Sequence, residues 1–253
     1  MRQMRAPAFF VAHGAPSLAL EHDDFTRAAR AFGESLHDVR AIALVSAHWE
    51  AREVRVNAVA RPEPIYDFGG FTPELYRVRY DAPGSPELAR EIAALLGAEL
   101  ETERGWDHGL WVPMLHVLPD ARTPIVEIAL PRAGDLMQIG RALAPLRERG
   151  IAVAGSGGIV HNLRVIDFAH KEAPPLEWAA EFDRWIAGRL ASRDFEAIAN
   201  YGTAPGASLA VPTSEHFEPL LIALGAAQED DRLQTIYEGF QYATLSMRSI
   251  AFR

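Results

Sequence analysis

Five histidines stand where strand-like apolar runs give way to loops, or beside small and aromatic residues, in a chain that has nine histidines and no cysteine. His13 follows Pro7-Ala-Phe-Phe-Val-Ala12 and opens His13-Gly-Ala-Pro16. His48 follows Ala41-Ile-Ala-Leu-Val-Ser46. His161 comes shortly after Ile151-Ala-Val-Ala154 and Gly155-Ser-Gly-Gly158, His216 lies in Pro212-Thr-Ser-Glu-His-Phe217, and His108 in Gly105-Trp-Asp-His-Gly-Leu-Trp111. Neutral imidazole is the commonest protein ligand for borderline divalent metals, and ligand clefts of open α/β sheets lie beyond the carboxyl ends of strands. Without thiols, a metal here is held by nitrogen and oxygen alone. Any one of these histidines, taken singly, is as well explained by a backbone carbonyl at a strand end; together they point to a metal site. No His-Glu-x-x-His helix is present to supply local ligand spacing. His22, His37 and His170 lie in polar segments and His116 in an apolar run, so these four are read as surface or packing residues.

Two rival chemistries attach to Gly155-Ser-Gly-Gly158, which reads as a loop between a strand and a helix. A dinucleotide fingerprint needs glycine at 160, where Val160 stands, and a phosphate loop needs a Gly-Lys-Ser/Thr that is missing. A nucleophile elbow on Ser156 lacks its first glycine, replaced by Ala154, although His216 and an acid such as Asp183 keep a serine hydrolase open as an alternative. The simpler reading is that the glycines let the backbone pass close to a ligand and turn His161 inward. Asp107 is a candidate to fix a histidine tautomer by hydrogen bonding.

The elements that must position these groups alternate. Apolar runs at Pro7–Ala12, Ala41–Ser46, Pro124–Leu130 and Ile151–Ala154 read as strands. Leu88/Ile92/Leu95/Leu96, Leu136/Ile139/Leu143/Leu146 and Trp178/Phe182/Trp185/Ile186 read as core-facing helices, the first capped by Ser85-Pro86. Glu53–Val59 and Arg248–Arg253 are further strand candidates, the second near an edge. Lys171–Pro175 and Thr203–Ser208 read as surface loops, and Arg61–Gly84 as a long binding loop or lid. The expectation is one α/β domain over residues 1–253, with a mixed or mostly parallel central sheet and helices on both faces.

A formal net charge of −9 with no basic run argues against nucleic-acid and anionic-membrane partners. No segment reaches the roughly 20 apolar residues of a membrane span or has a signal-peptide pattern, so a cytoplasmic protein acting on small molecules is expected, as a monomer or small homo-oligomer.

Over nearly its whole length the chain resembles the class III extradiol ring-cleavage dioxygenases, most closely their 4,5-DOPA dioxygenase branch. Seven ordered motifs carry the resemblance: His13-Gly-Ala-Pro16, with alanine where members usually have serine; Ser46-Ala-His-Trp49; Tyr66-Asp-Phe-Gly-Gly-Phe71 with Pro73-Glu-Leu-Tyr76; Tyr80-Asp-Ala-Pro-Gly-Ser-Pro86; Asp107-His-Gly-x-Trp111; Gly155-Ser-Gly-x-x-x-His-Asn-Leu-Arg164; and Glu215-His-Phe-x-Pro-Leu-Leu221. The resemblance implies an Fe(II) enzyme, with Zn(II) able to occupy the same donors, that opens the ring of a small, DOPA-like catechol with O₂ to give a semialdehyde. It implies His13, His48 and His216 as metal ligands, with Glu215 a rival for the last, and His161 as acid/base or a further ligand. His108 becomes a pocket histidine that meets substrate or dioxygen and shares the acid/base work. Phe68, Phe71, Tyr76 and Trp106 become candidate aromatic walls. A non-catalytic metal-binding module on the same fold is the remaining alternative.

Overall fold

The computed structural model describes residues 5–253. Ten strands run in the order β1 (Ala8–Ala12), β2 (Ala41–Ala51), β3 (Arg55–Asn57), β4 (Glu99–Glu101), β5 (Ile125–Pro131), β6 (Ile151–Gly157), β7 (Leu233–Tyr237), β8 (Phe240–Gln241), β9 (Leu245–Ser246) and β10 (Ser249–Phe252). Among them lie helices α1 (Asp24–Glu34), α2 (Pro86–Leu96), α3 (His108–Val117), α4 (Leu136–Leu143), α5 (Glu177–Ala191), α6 (Phe195–Ala199), α7 (Ala207–Ala210) and α8 (Glu218–Ala226).

Eight strands form one sheet in the order β4-β3-β5-β2-β6-β1-β10-β7. Its centre, β5-β2-β6-β1, is parallel, which agrees with apolar runs buried on both faces rather than alternating. β10 joins β1 antiparallel and β7 closes that side. One face packs on α2, α4, α5 and α8 through residues such as Phe10, Val45, Ile92, Leu143, Phe182 and Ile222, and the other on α1 and α3 through Phe9, Leu44, Phe32 and Met114. The mostly parallel α/β sheet with helices on both faces is therefore as expected.

Several elements depart from the sequence reading. The second strand continues past Ser46 to Ala51, with an irregularity between Val45 and Glu50 in its pairing to β5, so His48 projects from a strand and not from a loop. Gly155–Gly157 belong to β6, and no helix follows before Glu177. The strand within Glu53–Val59 shrinks to three residues. Thr203–Ser208 is not a plain loop, because a 3₁₀ turn at Tyr201–Thr203 and α7 occupy half of it. The Arg248–Arg253 strand lies one place in from the edge, covered by β7, which the sequence did not announce. α3 and α8 are buried on nearly every side, so neither carries the polar stripe that betrays a surface helix.

At the amino-terminal edge of the sheet, Arg147 is wholly buried and all five of its N–H groups are used. It donates to the carbonyls of Ala6, Ala226 and Phe252 and forks onto the Asp231 carboxylate at 2.6 and 3.0 Å. One side chain thus ties the segment entering β1 to the ends of α8 and β10.

Candidate metal centre

The carboxyl edge of three adjacent strands builds the site. His13 follows β1, with its N–H bonded to the Gly157 carbonyl at 3.1 Å, while His48 points from the far part of β2 and His161 lies four residues beyond β6. His216 arrives from the segment before α8 and is pinned by the Gly158 N–H on its carbonyl at 2.8 Å. A Cβ on Gly157 would overlap that carbonyl, so only glycine lets β6 pass this close. Gly109 does the same for α3, where a Cβ would strike Ser46 Oγ and the His48 ring.

The donor nitrogens of His13, His48 and His216 lie within 4.8 Å of one another. The Nε2 atoms of His13 and His48 are 3.3 Å apart, matching two nitrogens that each sit about 2 Å from one tetrahedral metal and hence about 3.3 Å from each other. Local bonds set the tautomers. His216 Nδ1 donates to Glu215 Oε1 at 3.0 Å, which leaves Nε2 as a bare lone pair, buried and without a partner. His13 Nδ1 faces Ser156 Oγ at 3.5 Å, again leaving Nε2 unprotonated. An orphaned buried nitrogen beside two converging imidazoles fits a divalent cation and little else.

Glu215 is placed behind His216, where it also accepts from Thr213 at 2.7 Å; those bonds hold its carboxyl down at about 2. The His161 ring stacks on His216 with centroids 3.5 Å apart, outside the cluster of three donors. His108 stands 3.9 Å from the His48 ring, and its Nδ1 meets Asp67 Oδ1 at 2.9 Å. Asp67, and not Asp107, therefore orients a histidine ring. Asp107 instead caps α3 through the Leu110 N–H and accepts from Ser46 and Arg104. The sequence did offer a sign of Asp67, which opens the Asp67-Phe-Gly-Gly-Phe71 motif, but nothing local said which histidine it would meet.

A cavity of about 350 Å³ opens over these rings, lined by Phe68, Phe71, Leu163, Phe168 and Leu245. It is of a size for a small ligand. Phe68 and Phe71 are walls as expected; Tyr76 packs behind Phe68, and Trp106 is fully buried against Tyr80, so neither lines the cavity. Leu163 and Phe168 went unnoticed because they sit in an irregular segment whose position depends on the whole fold. The Arg61–Gly84 stretch is a lining loop held by the Ile65 N–H on the Trp106 carbonyl, the Trp106 N–H on the Glu63 carbonyl and Trp111 Nε1 on the Ile65 carbonyl. A larger cleft of about 550 Å³ lies at the opposite edge of the sheet, where Arg5 is already paired with Glu148 and Asp230.

The serine-hydrolase alternative does not assemble. Ser156 is wholly buried in β6, and its hydroxyl is given to the Gly109 carbonyl. That carbonyl is free because Pro113, four residues on, has no N–H to return to it. Asp183 is committed to Arg248 and Ser246.

Compared with known proteins, residues 8–253 match the family described as the catalytic LigB subunit of aromatic ring-opening dioxygenase. The chain belongs to this family. These are the class III extradiol ring-cleavage dioxygenases; the family implies a metal, and the histidine cluster is a group that could hold one. Its relatives include "4,5-DOPA dioxygenase extradiol" of Escherichia coli, 37% identical over 99% of this chain and 96% of that one. The protein of the same name from Beta vulgaris is 36% identical over 96% and 95%. The crystal structure of an uncharacterized protein from Escherichia coli K12 superposes with a TM-score of 0.84 at 32% identity, over 98% of this chain and all of that one. Among the described residues of this family member, no helix is long and apolar enough to cross a membrane.

Burial, followed by the neighbouring histidines, holds His13 and His161 well below the usual histidine value and brings His48 to about 3. The unfolded chain titrates near 6.5, so below that pH it binds more protons than the folded, metal-free protein. Stability is then fully present above about 6.5 and falls with pH, each histidine contributing about 1.4 kcal/mol per pH unit until its own folded value is reached. Urea unfolding of metal-free protein at about pH 7.5 and about pH 5 is expected to show a marked drop at the lower pH. A flat profile would mean that these rings are protonated in the folded state.

Proposed function

We propose that this chain is a metal-dependent extradiol dioxygenase that opens the ring of a small, DOPA-like catechol with O₂ to a semialdehyde, using Fe(II), with Zn(II) able to take the same position. The observation that supports it most is the partnerless Nε2 of His216 facing the donors of His13 and His48 at the floor of an aromatic-walled cavity. His13, His48 and His216 hold the metal. When bound, Fe(II) supplies open positions for catechol and O₂ together and lowers the cost of ionising the catechol.

The remaining side chains do the positioning and proton transfer. His161, kept neutral by burial, is suited to accept a catechol proton and later return it. Its ring, stacked on His216 beside the three donors, would alternatively serve as a further ligand. His108, with Nδ1–H given to Asp67, presents Nε2 toward the cavity as an acceptor on the opposite flank. Phe68, Phe71 and Phe168 flank the ring to be opened and keep bulk water from it. The names of the Escherichia coli and Beta vulgaris relatives support DOPA as the first substrate to test.

Anaerobic loading with Fe(II), followed by oxygen uptake on a panel of catechols, tests the reading. Stoichiometric uptake with a ring-opened semialdehyde is expected; iron bound without uptake on any catechol would leave only a metal-binding module. Asp67→Ala frees the His108 ring and is expected to lower turnover about 10–100-fold with metal content nearly unchanged, as for loss of a partner that orients an active-site imidazole. Steady-state rates beside metal analysis check this.

A further inference from the structure

Glu127 lies in the middle of β5, wholly buried, and neither of its carboxyl oxygens meets a conventional donor. In the β2–β5 register Glu127 stands beside Leu44, two residues from the Ser46 that bonds Asp107, and the charged side chains that bear on it are Asp107 first, then Arg104 and Asp67. Two carboxylates in contact repel unless a proton lies between them, and an ionised carboxylate buried without a donor costs several kcal/mol. Asp107 is the one of the two that is served by donors. Its Oδ1 takes the Ser46 hydroxyl at 2.6 Å and the Leu110 N–H at 3.2 Å, and its Oδ2 takes Arg104 at 3.1 Å. The shared proton therefore belongs on Glu127, in keeping with burial, then Asp107, raising that carboxyl well above the usual range.

Asp107 is also the hub that grips His48. Ser46 Oγ, fixed by Asp107, accepts the His48 N–H at 3.2 Å, and Arg104, paired with Asp107, donates to the His48 carbonyl at 3.3 Å. The backbone of a metal-donor residue is thus held from both sides by partners of one carboxylate. We propose that Glu127 is a positioning residue of the metal centre, a buried neutral acid whose O–H bonds to Asp107 and fixes the hub that sets His48. The inference rests on the proposed metal site for its catalytic consequence, and on burial without a donor beside the Asp107 carboxylate for its protonation state.

Three variants, read by iron affinity, steady-state kinetics, thermal stability and infrared spectra, test it. In Glu127→Met the acid proton is lost, and iron affinity or kcat is expected to fall about 10–100-fold with KM for catechol little changed, while thermal stability holds or rises because a buried polar group has gone. Glu127→Gln keeps an N–H for Asp107 and is expected to recover most of that loss. Infrared spectra of the wild-type protein should contain a protonated-carboxyl C=O band that shifts in D₂O and is missing in Glu127→Gln, whether or not any catechol is cleaved. Asp107→Asn should weaken iron binding as Glu127→Met does. Absence of the acid band, unchanged iron affinity and kcat in a folded Glu127→Met, or equal losses in the Met and Gln variants would overturn the proposal. Should the Met variant fail to fold, the infrared band and the Gln variant still decide it, and failure of catechol cleavage in the wild type leaves iron affinity as an independent measure.

Discussion

His48→Ala is expected to abolish metal binding at micromolar metal and reduce oxygen uptake on every catechol to background. His48 supplies the nitrogen 3.3 Å from His13 Nε2, it projects from a strand whose backbone is fixed on both sides, and Ser46 and Arg104 put no other donor in its place. The loss should exceed the roughly 10–100-fold that follows removal of a ligand's hydrogen-bond partner. Glu215→Gln makes the contrast, because it weakens the hold on His216 without removing a donor and is expected to cost only an amount in that range. Metal content by elemental analysis after gel filtration separates the two. Full metal in His48→Ala would refute the assignment of the three-histidine centre, whereas full metal with no uptake would move His48 into a purely catalytic role.

Arg147→Met is expected to destabilise the protein by about 3–5 kcal/mol, the cost of leaving a buried ionic partner behind. The Asp231 carboxylate is almost fully enclosed and keeps only Arg5 at 3.1 Å and the Gln228 N–H among the described residues, while three backbone carbonyls lose the donor that Arg147 supplies. Arg147→Lys restores the charge but not the planar fork, so it should recover only part of the loss. Urea midpoints at constant slope measure both. Because Arg147 lies at the edge of the sheet opposite the metal centre, whatever Arg147→Met protein remains folded should bind iron normally. An unchanged midpoint would show that Asp231 is protonated or hydrated in the variant.

Prediction from local pattern worked where burial leaves a periodic or continuous trace. The parallel strands around Phe10, Leu44, Ile128 and Val153 are apolar without alternation because both faces are covered, and α2 and α4 show a clear stripe because one face is wet. It failed where burial erases the trace: α3 and α8 are enclosed on nearly every side, and α3 carries a proline whose missing N–H is compensated by Ser156, an exchange made across 47 residues of chain. It failed too at the end of β2, where an irregularity in strand pairing, set by β5, carries the strand past His48.

The sequence by itself determined the chemistry available: imidazole and carboxylate donors without thiols, placed after apolar runs and beside glycines that admit close backbone approach. It also separated the five histidines that meet at the site from His22, His37, His116 and His170, none of which lines the cavity. Only the tertiary structure decided how those donors divide the work. Glu215 and His216 are neighbours in the chain, and their roles part because Gly157 and Gly158 of the β6 end seize the His216 backbone and turn its ring inward, leaving the carboxylate to bond from behind. Asp67 and Asp107 are similarly equivalent on paper. One reaches His108 and the other holds His48 through Ser46 and Arg104 because α3 begins between them, and a hydrogen bond's length and angle are fixed by where elements pack, which residue spacing along the chain does not encode.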